Sequence, residues 1–264
     1  MLAPFGTATV LAADTRVGRG DGLQTRGQKI DSVVGKSGSY VIAHAANDAN
    51  ATLSLVRRIF SALEKSDFQS FDEVERVVEQ RMTHWARAFA YQLPESELLF
   101  GASLKSMTGK EGAVRLYFCQ PPNTILPVDN HDPYKAIGSG SRTIDPLWNM
   151  LFQTSIMSVP MALSWIAYLM YRAKKDDTDC GGWTNAIVLR DGAEPQWITP
   201  TDMEQAEKFS QGLEFLLRGT CSAIIGQTDE SAKDFCSKFG DMIFSVGTRL
   251  RNFKFHTLSG IEVI

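Results

Sequence analysis

The stretch Thr9-Val10-Leu11-Ala12-Ala13-Asp14-Thr15-Arg16 constrains this chain more than any other. An apolar run with strand composition delivers a carboxylate at its end, and a polar, glycine-rich connection then leads to Gln28-Lys29-Ile30, so that a lysine follows the aspartate by 15 residues. A buried Asp/Lys pair is the setting a hydroxyl nucleophile needs, because a hydroxyl is weak until a nearby cation and a base ease the loss of its proton. Taken alone, each residue also has a plainer reading: Asp14 can open a turn or pair with Arg16, and Lys29 can be a solvated surface charge.

The rest of the chain alternates strands and helices in blocks. Strands are expected at 10–13, 29–34 and 40–46, the last almost wholly apolar, as when both faces of a sheet are covered. Asn47 or Asp48 can cap a helix carrying Leu53, Val56, Ile59, Phe60 and Leu63 on one face. A second helix is expected from about 71 to 93, stopped with the help of Pro94. Strands at 98–104 and 114–119 follow, then helices near 144–152 and 159–174, with Pro160 suited to a helix start. A hairpin is expected from 183–189 and 196–198, and beyond Pro200 a helical extension with a final strand at 257–264. Pattern alone supports a mixed α+β class.

Composition limits the function classes. With 264 residues, 44% hydrophobic and 22% charged, the chain can bury one large core or two smaller ones. Its formal charge of −3, with both signs interspersed, argues against a nucleic-acid binder. No apolar run is long enough to span a membrane, and the N-terminus has no positively charged leader, so a cytoplasmic location is expected. Cys119, Cys180, Cys221 and Cys236 show no CxxC pairing, which fits a reducing compartment. His44, His84, His131 and His256 are scattered, so no metal site is expected.

Five segments in order resemble the proteasome β-subunit and bacterial HslV family of N-terminal nucleophile hydrolases. They are Val10 to Arg16, Lys29-Ile30, Tyr40 to Ala43, Ala136-Ile137-Gly138-Ser139-Gly140-Ser141, and Asp177 to Gly182, and together they cover about residues 8–195. The resemblance implies a four-layer αββα sandwich over 1–199, with 200–264 as a C-terminal helical extension packed on the same body or on a neighbouring subunit. It also implies a homo-oligomeric ring, peptide-bond hydrolysis inside a closed chamber, unfolded polypeptide as substrate, an ATP-dependent unfoldase as partner, and no cofactor.

Carried over residue by residue, Asp14 holds Lys29, and Lys29 lowers the pKa of a threonine whose own α-amine is the base. Ser139 and Asp177 form the outer hydrogen-bond network, and the backbone N–H of Asn47 serves the oxyanion. The chain departs from the pattern in three places. Cys180 stands where relatives carry serine, which leaves only a weak donor. Asn47-Asp48 stands where they carry glycine. The strand that begins with the threonine is absent before 8–13, and Thr7 lies too close to Asp14 for an outgoing strand, a turn and a return. No threonine-type peptidase activity is therefore expected of this chain as written. Two other readings stay open, a non-catalytic subunit kept for assembly or gating, and an amidohydrolase with another nucleophile. Outside the resemblance, Gly138 to Ser141 reads as a turn before a capped helix, Asp176 to Asp179 as a solvated loop, and Cys180 as a small buried residue.

Overall fold

The computed structural model describes residues 7–18, 24–89, 92–110, 112–128, 134–151 and 158–225. In chain order these form β1 (Ala8–Asp14), β2 (Arg16–Gly18), β3 (Gln24–Arg26), β4 (Ile30–Val34), β5 (Gly38–Ala46), α1 (Ala49–Lys65), α2 (Phe71–Ala86), β6 (Ser96–Leu104), β7 (Val114–Gln120), β8 (Thr124–Pro127), α3 (Ser141–Leu151), α4 (Val159–Asp176), β9 (Thr184–Arg190), β10 (Gln196–Ile198) and α5 (Pro200–Ile225). The class is α+β, with two antiparallel sheets. One has the order β1-β9-β10 and the other β4-β5-β6-β7-β8, while β2 and β3 make a separate ribbon.

The side-chain alternation of a strand explains how these sheets stack. On β5, Tyr40 and Ile42 turn to one side and join Leu55, Val56, Ile59 and Leu63 of α1 and Val74, Val78 and Trp85 of α2 in one apolar cluster. Val41 and Ala43 turn to the other side and meet Leu11 of β1 and Ile187 and Leu189 of β9 in a second cluster, between the two sheets. The third cluster lies on the far face of the smaller sheet, where Val10, Ala186 and Val188 pack on α3, α4 and the start of α5. Gly101 sets the closeness of the sheets: a Cβ there would stand 2.8 Å from Val41 Cγ2 and 3.4 Å from Leu189 Cδ2. A larger residue would wedge the interface open.

Helix α1 starts where the sequence offers a cap. The Asp48 carboxylate accepts from the Ala51 N–H at 2.9 Å, satisfying one of the first-turn donors. Helix α2 ends at Ala86, well before Pro94, because the chain tightens into i→i+3 bonds from Ala88 N–H to Trp85 O and from Phe89 N–H to Ala86 O. The β2–β3 ribbon and the short edge strand β8 were not expected, and the strand expected at 257–264 lies outside the described residues.

From Pro200 the chain continues as α5, and its first turns are part of the body. Met203 and Ala206 are buried in the cluster that holds β9 and β10. Glu207 takes Lys174 of α4 on both oxygens, at 2.8 and 2.9 Å, and also accepts the Thr184 hydroxyl of β9. No helix of the described residues is long and apolar enough to cross a membrane.

Candidate functional site

The C-terminal end of β1 places Asp14 where the chain leaves the sheet. Asp14 is buried, and the loop before β4 brings Lys29 to it, with Lys29 Nζ 2.6 Å from Asp14 Oδ1. The second carboxylate oxygen is also occupied: the Gly181 N–H donates to Oδ2 at 2.8 Å and the Arg16 N–H at 3.3 Å. Asp14 is thus held in one orientation by two backbone donors, and Lys29 is the more exposed partner, at 22% against 8%. The geometry presents an ammonium on a fixed carboxylate, with its remaining hydrogens free for a further group.

The loop before β9 is stitched to the residues after Asp14. Thr15 N–H donates to Trp183 O at 3.0 Å, the Trp183 N–H donates to Thr15 Oγ1 at 3.0 Å, and Arg16 Nη1 donates to Thr178 O at 2.6 Å. Gly182, at φ +73°, is required here, and a Cβ on it would also fall on Thr15 Oγ1; a Cβ on Gly181 would displace the Arg16 guanidinium.

The same loop carries Asp177 and Cys180 to the start of α3. The Cys180 thiol lies 3.6 Å from Asp177 Oδ2 and 4.0 Å from Ser139 Oγ, long sulfur contacts that hold loosely. Burial pushes the thiol up to about 11, helped by the nearby charges of Asp14 and Asp177, so it is protonated at neutral pH and is not a thiolate nucleophile. Burial also acts to raise the Asp177 carboxyl. It is outweighed by the Asp179 N–H, the Ser139 hydroxyl, the Cys180 thiol and the charge of Arg142, and Asp177 lies below its usual value. Gly140 closes the group: a Cβ there would stand 2.8 Å from Cys180 Sγ.

Asn47 is placed differently from its sequence-derived role. Its backbone N–H donates to Glu95 O at 3.2 Å, which carries the β5–β6 ladder one step past the Ala46–Ser96 pair. Thr7 lies at the other end of β1 from Asp14, and at about 3.3 Å per residue the two are about 23 Å apart. Its carbonyl accepts from the Asp191 N–H instead. Among the described residues no His, Cys, Asp and Glu side chains converge as a metal site.

Sequence reasoning did not single out two neighbours of the site. His44 is buried on β5, directly across the ladder from Lys29, and its N–H donates to Lys29 O at 2.9 Å. Burial and the Lys29 charge lower its imidazole to about 4, against a hydrogen bond with the Gln28 backbone, and its Nε2 has no partner among the described residues. Glu97 of β6 accepts the Gly138 N–H at 2.8 Å and so fixes the loop that carries Ser139. The one available signal was a polar residue in an otherwise apolar strand, present at both positions.

Comparison with solved structures then decides the fold. Anbu (ancestral beta-subunit) from Yersinia bercovieri matches with a TM-score of 0.69 at 15% identity, over 86% of this chain and 98% of that one. Anbu from Hyphomicrobium sp. strain MC1 matches at 0.66 and 19%, over 83% and 94%. The chain has the fold of Anbu. The helical assembly of the Anbu complex from Pseudomonas aeruginosa gives 0.61 and 14%, over 79% and 91%. No protein-family model and no curated protein matches the chain.

The Anbu likeness corrects the expectation of a proteasome β-subunit or HslV chain. The matched structures named above are Anbu chains, and none of them is a proteasome β-subunit proper or HslV. The motifs that suggested those two families are short segments at strand ends and in loops, and such segments do not by themselves fix a family.

Proposed function

We propose that this chain is an Anbu-like subunit of a self-compartmentalising assembly, carrying the activating half of an amide-hydrolysing site. The observation that carries the reading is the Lys29–Asp14 pair at 2.6 Å, with Asp14 locked from behind by the Gly181 N–H. The three apolar clusters correspond in this reading to the three interfaces of a four-layer αββα sandwich. Residues 1–199 form its body, and 200–264 extend it.

Among the described residues β1 is paired on one side only, with β9. A strand laid antiparallel along its other edge would begin beside Asp14, which puts the first residue of that strand next to the Lys29 ammonium. A threonine there would attack the substrate carbonyl carbon through its hydroxyl oxygen. Its proton would pass to its own α-amine and from there to the departing amine, while Lys29 stabilises the alkoxide character. Ser139 and Asp177 would orient that amine. Asn47 would serve the oxyanion only after its N–H left Glu95 O. The substrate of such a chamber is unfolded polypeptide, and an ATP-driven unfoldase is the partner that would feed it.

The committed Asn47 N–H and the protonated Cys180 thiol favour a second reading, a non-catalytic subunit that builds the assembly. Native mass spectrometry and electron microscopy of protein from its native source, with fluorogenic peptide turnover, separate the two. The first reading expects a closed ring or helical stack whose turnover falls about a hundredfold in Lys29→Met with the assembly intact. An intact assembly without turnover selects the second, and a monomer at every concentration defeats both.

A further inference from the structure

A basic cleft on the outer face of α1 is unrelated to the site described above. The apolar side of α1 is consumed by Leu55, Val56, Ile59 and Leu63, all buried against the larger sheet and α2. On the opposite side Ser54, Arg57, Arg58, Ser61 and Lys65 recur at helical spacing, and Arg81 reaches across from α2. Together they line a cleft of about 540 Å³, within the usual range for small-ligand sites.

The charge balance of the cleft is one-sided. Arg57, Arg58, Lys65 and Arg81 are exposed, no carboxylate is in the lining, and none of the four forms an ion pair among the described residues. The carboxyl of Asp31 is raised by burial, and Arg57 opposes that from beyond ion-pair distance. By contrast, Lys174 and Lys175 on α4 reach Glu207 and Glu214 of α5. Arg57, Arg58 and Lys65 on successive turns of α1, with Arg81 facing them from α2, repel one another, and a multiply charged anion relieves that repulsion.

The lining also says what the ligand lacks. Ala62 is its one apolar residue and no aromatic ring borders it, so a nucleobase or a hydrophobic tail finds no surface to stack on. Arginine forks match the tetrahedral oxygens of phosphate, and the hydroxyls of Ser54 and Ser61 add neutral donors. From Ser54 to Lys65 the helix rises about 17 Å, enough for a linear chain of several linked phosphates.

We propose that the cleft of Arg57, Arg58, Lys65 and Arg81 binds an oligophosphate, recognised through its phosphates alone. The test is calorimetric titration of the full chain with sodium tripolyphosphate, ATP and a triglutamate peptide at low and moderate salt. Tripolyphosphate is expected to bind one per chain, with ATP within about threefold of it. Affinity is expected to fall at least about tenfold in Arg57→Ala/Arg58→Ala, and to weaken steeply with salt. Lys208→Ala, an exposed cation on α5, should leave it unchanged. All substituted side chains are exposed, and a thermal melt checks that the variants fold. Absence of binding at millimolar tripolyphosphate overturns the proposal, as does binding that survives the double substitution. Triglutamate binding as tightly as tripolyphosphate would point to an acidic peptide instead, and ATP binding more than tenfold tighter would require a base subsite; either result overturns it too.

Discussion

Two lysine–carboxylate pairs of nearly equal length sit in this molecule and use their charges in opposite ways. Lys174 and Glu207 are equally sheltered, at 15% exposure each, and Glu207 grips the ammonium with both oxygens while accepting the Thr184 hydroxyl. That pair closes on itself and ties α4, α5 and β9 together. In the other pair Asp14 spends one oxygen on Lys29 and the other on the Gly181 N–H, and the lysine stands outermost. The first consumes a cation to fasten three elements. The second anchors its carboxylate in the backbone so that the cation remains on offer. Distance alone does not separate the two arrangements; the partner of the second oxygen does.

Substitutions on the two pairs can break that distinction, beginning with the largest expected effect. Asp14→Ala leaves the Gly181 N–H and a half-sheltered ammonium without their acceptor, and is expected to cost about 4 kcal/mol in denaturant unfolding. A cost near zero would mean that the carboxylate anchors nothing. His44 gives the next effect, and it has no counterpart beside Lys174. Its folded value of about 4 lies below its ordinary 6.5, so the unfolded chain binds the extra proton between those limits. Stability is then fully present above pH 6.5 and falls by about 3 kcal/mol as pH drops to 4. His44→Gln should flatten that acid limb in urea melts taken across the range, and an unchanged limb would place the titration elsewhere.

Glu207→Ala comes third, with an expected loss of about 2 kcal/mol and earlier hydrogen exchange in α5, since α5 loses its grip on α4 and β9. Lys29→Met should cost less than Glu207→Ala, about 1 kcal/mol, because the more exposed partner is removed and Asp14 keeps two backbone donors. If Lys29→Met were as damaging as Glu207→Ala, Lys29 would be a fastener after all. Cys180→Ser is expected to move stability by only a few tenths of a kcal/mol, while a stronger donor draws the Asp177 carboxyl still lower. Carbon-detected NMR titration of Asp177 reads that shift directly.

The elements with a strong period were largely legible in the sequence. The apolar run of β5 and the starts of α1 and α2 follow from local pattern, and Asp48 is the one of the two expected cap residues that accepts from the helix; the buried face of α1 takes Leu55 and Ala62 rather than Leu53 and Phe60, and α2 stops at Ala86 instead of running to 93. That Asp14 meets Lys29, and that Ser139 and Asp177 lie in one group, was implied by the family resemblance of the motifs and not by the residues' local pattern. What remained hidden depends on contacts between distant segments. The Asn47 N–H is taken by Glu95, 48 residues away, and no local signal fixes the register that brings them together. The protonation of His44 depends on its burial and on Lys29 across the ladder. Strand β8 follows two consecutive prolines, Pro121-Pro122, which read locally as a break, and only its pairing with β7 makes it a strand. The end of α2 is set by the i→i+3 turn from Trp85 to Phe89 and not by Pro94.

The near-contact between Gly140 and the sulfur of Cys180 ties two positions together. A Cβ at 140 would stand 2.8 Å from that sulfur, so an alanine there obliges Cys180 to shift. A smaller hydroxyl oxygen at 180 eases the contact. Substitutions at the two positions are therefore expected to be non-additive, with Gly140→Ala better tolerated beside serine at 180 than beside cysteine.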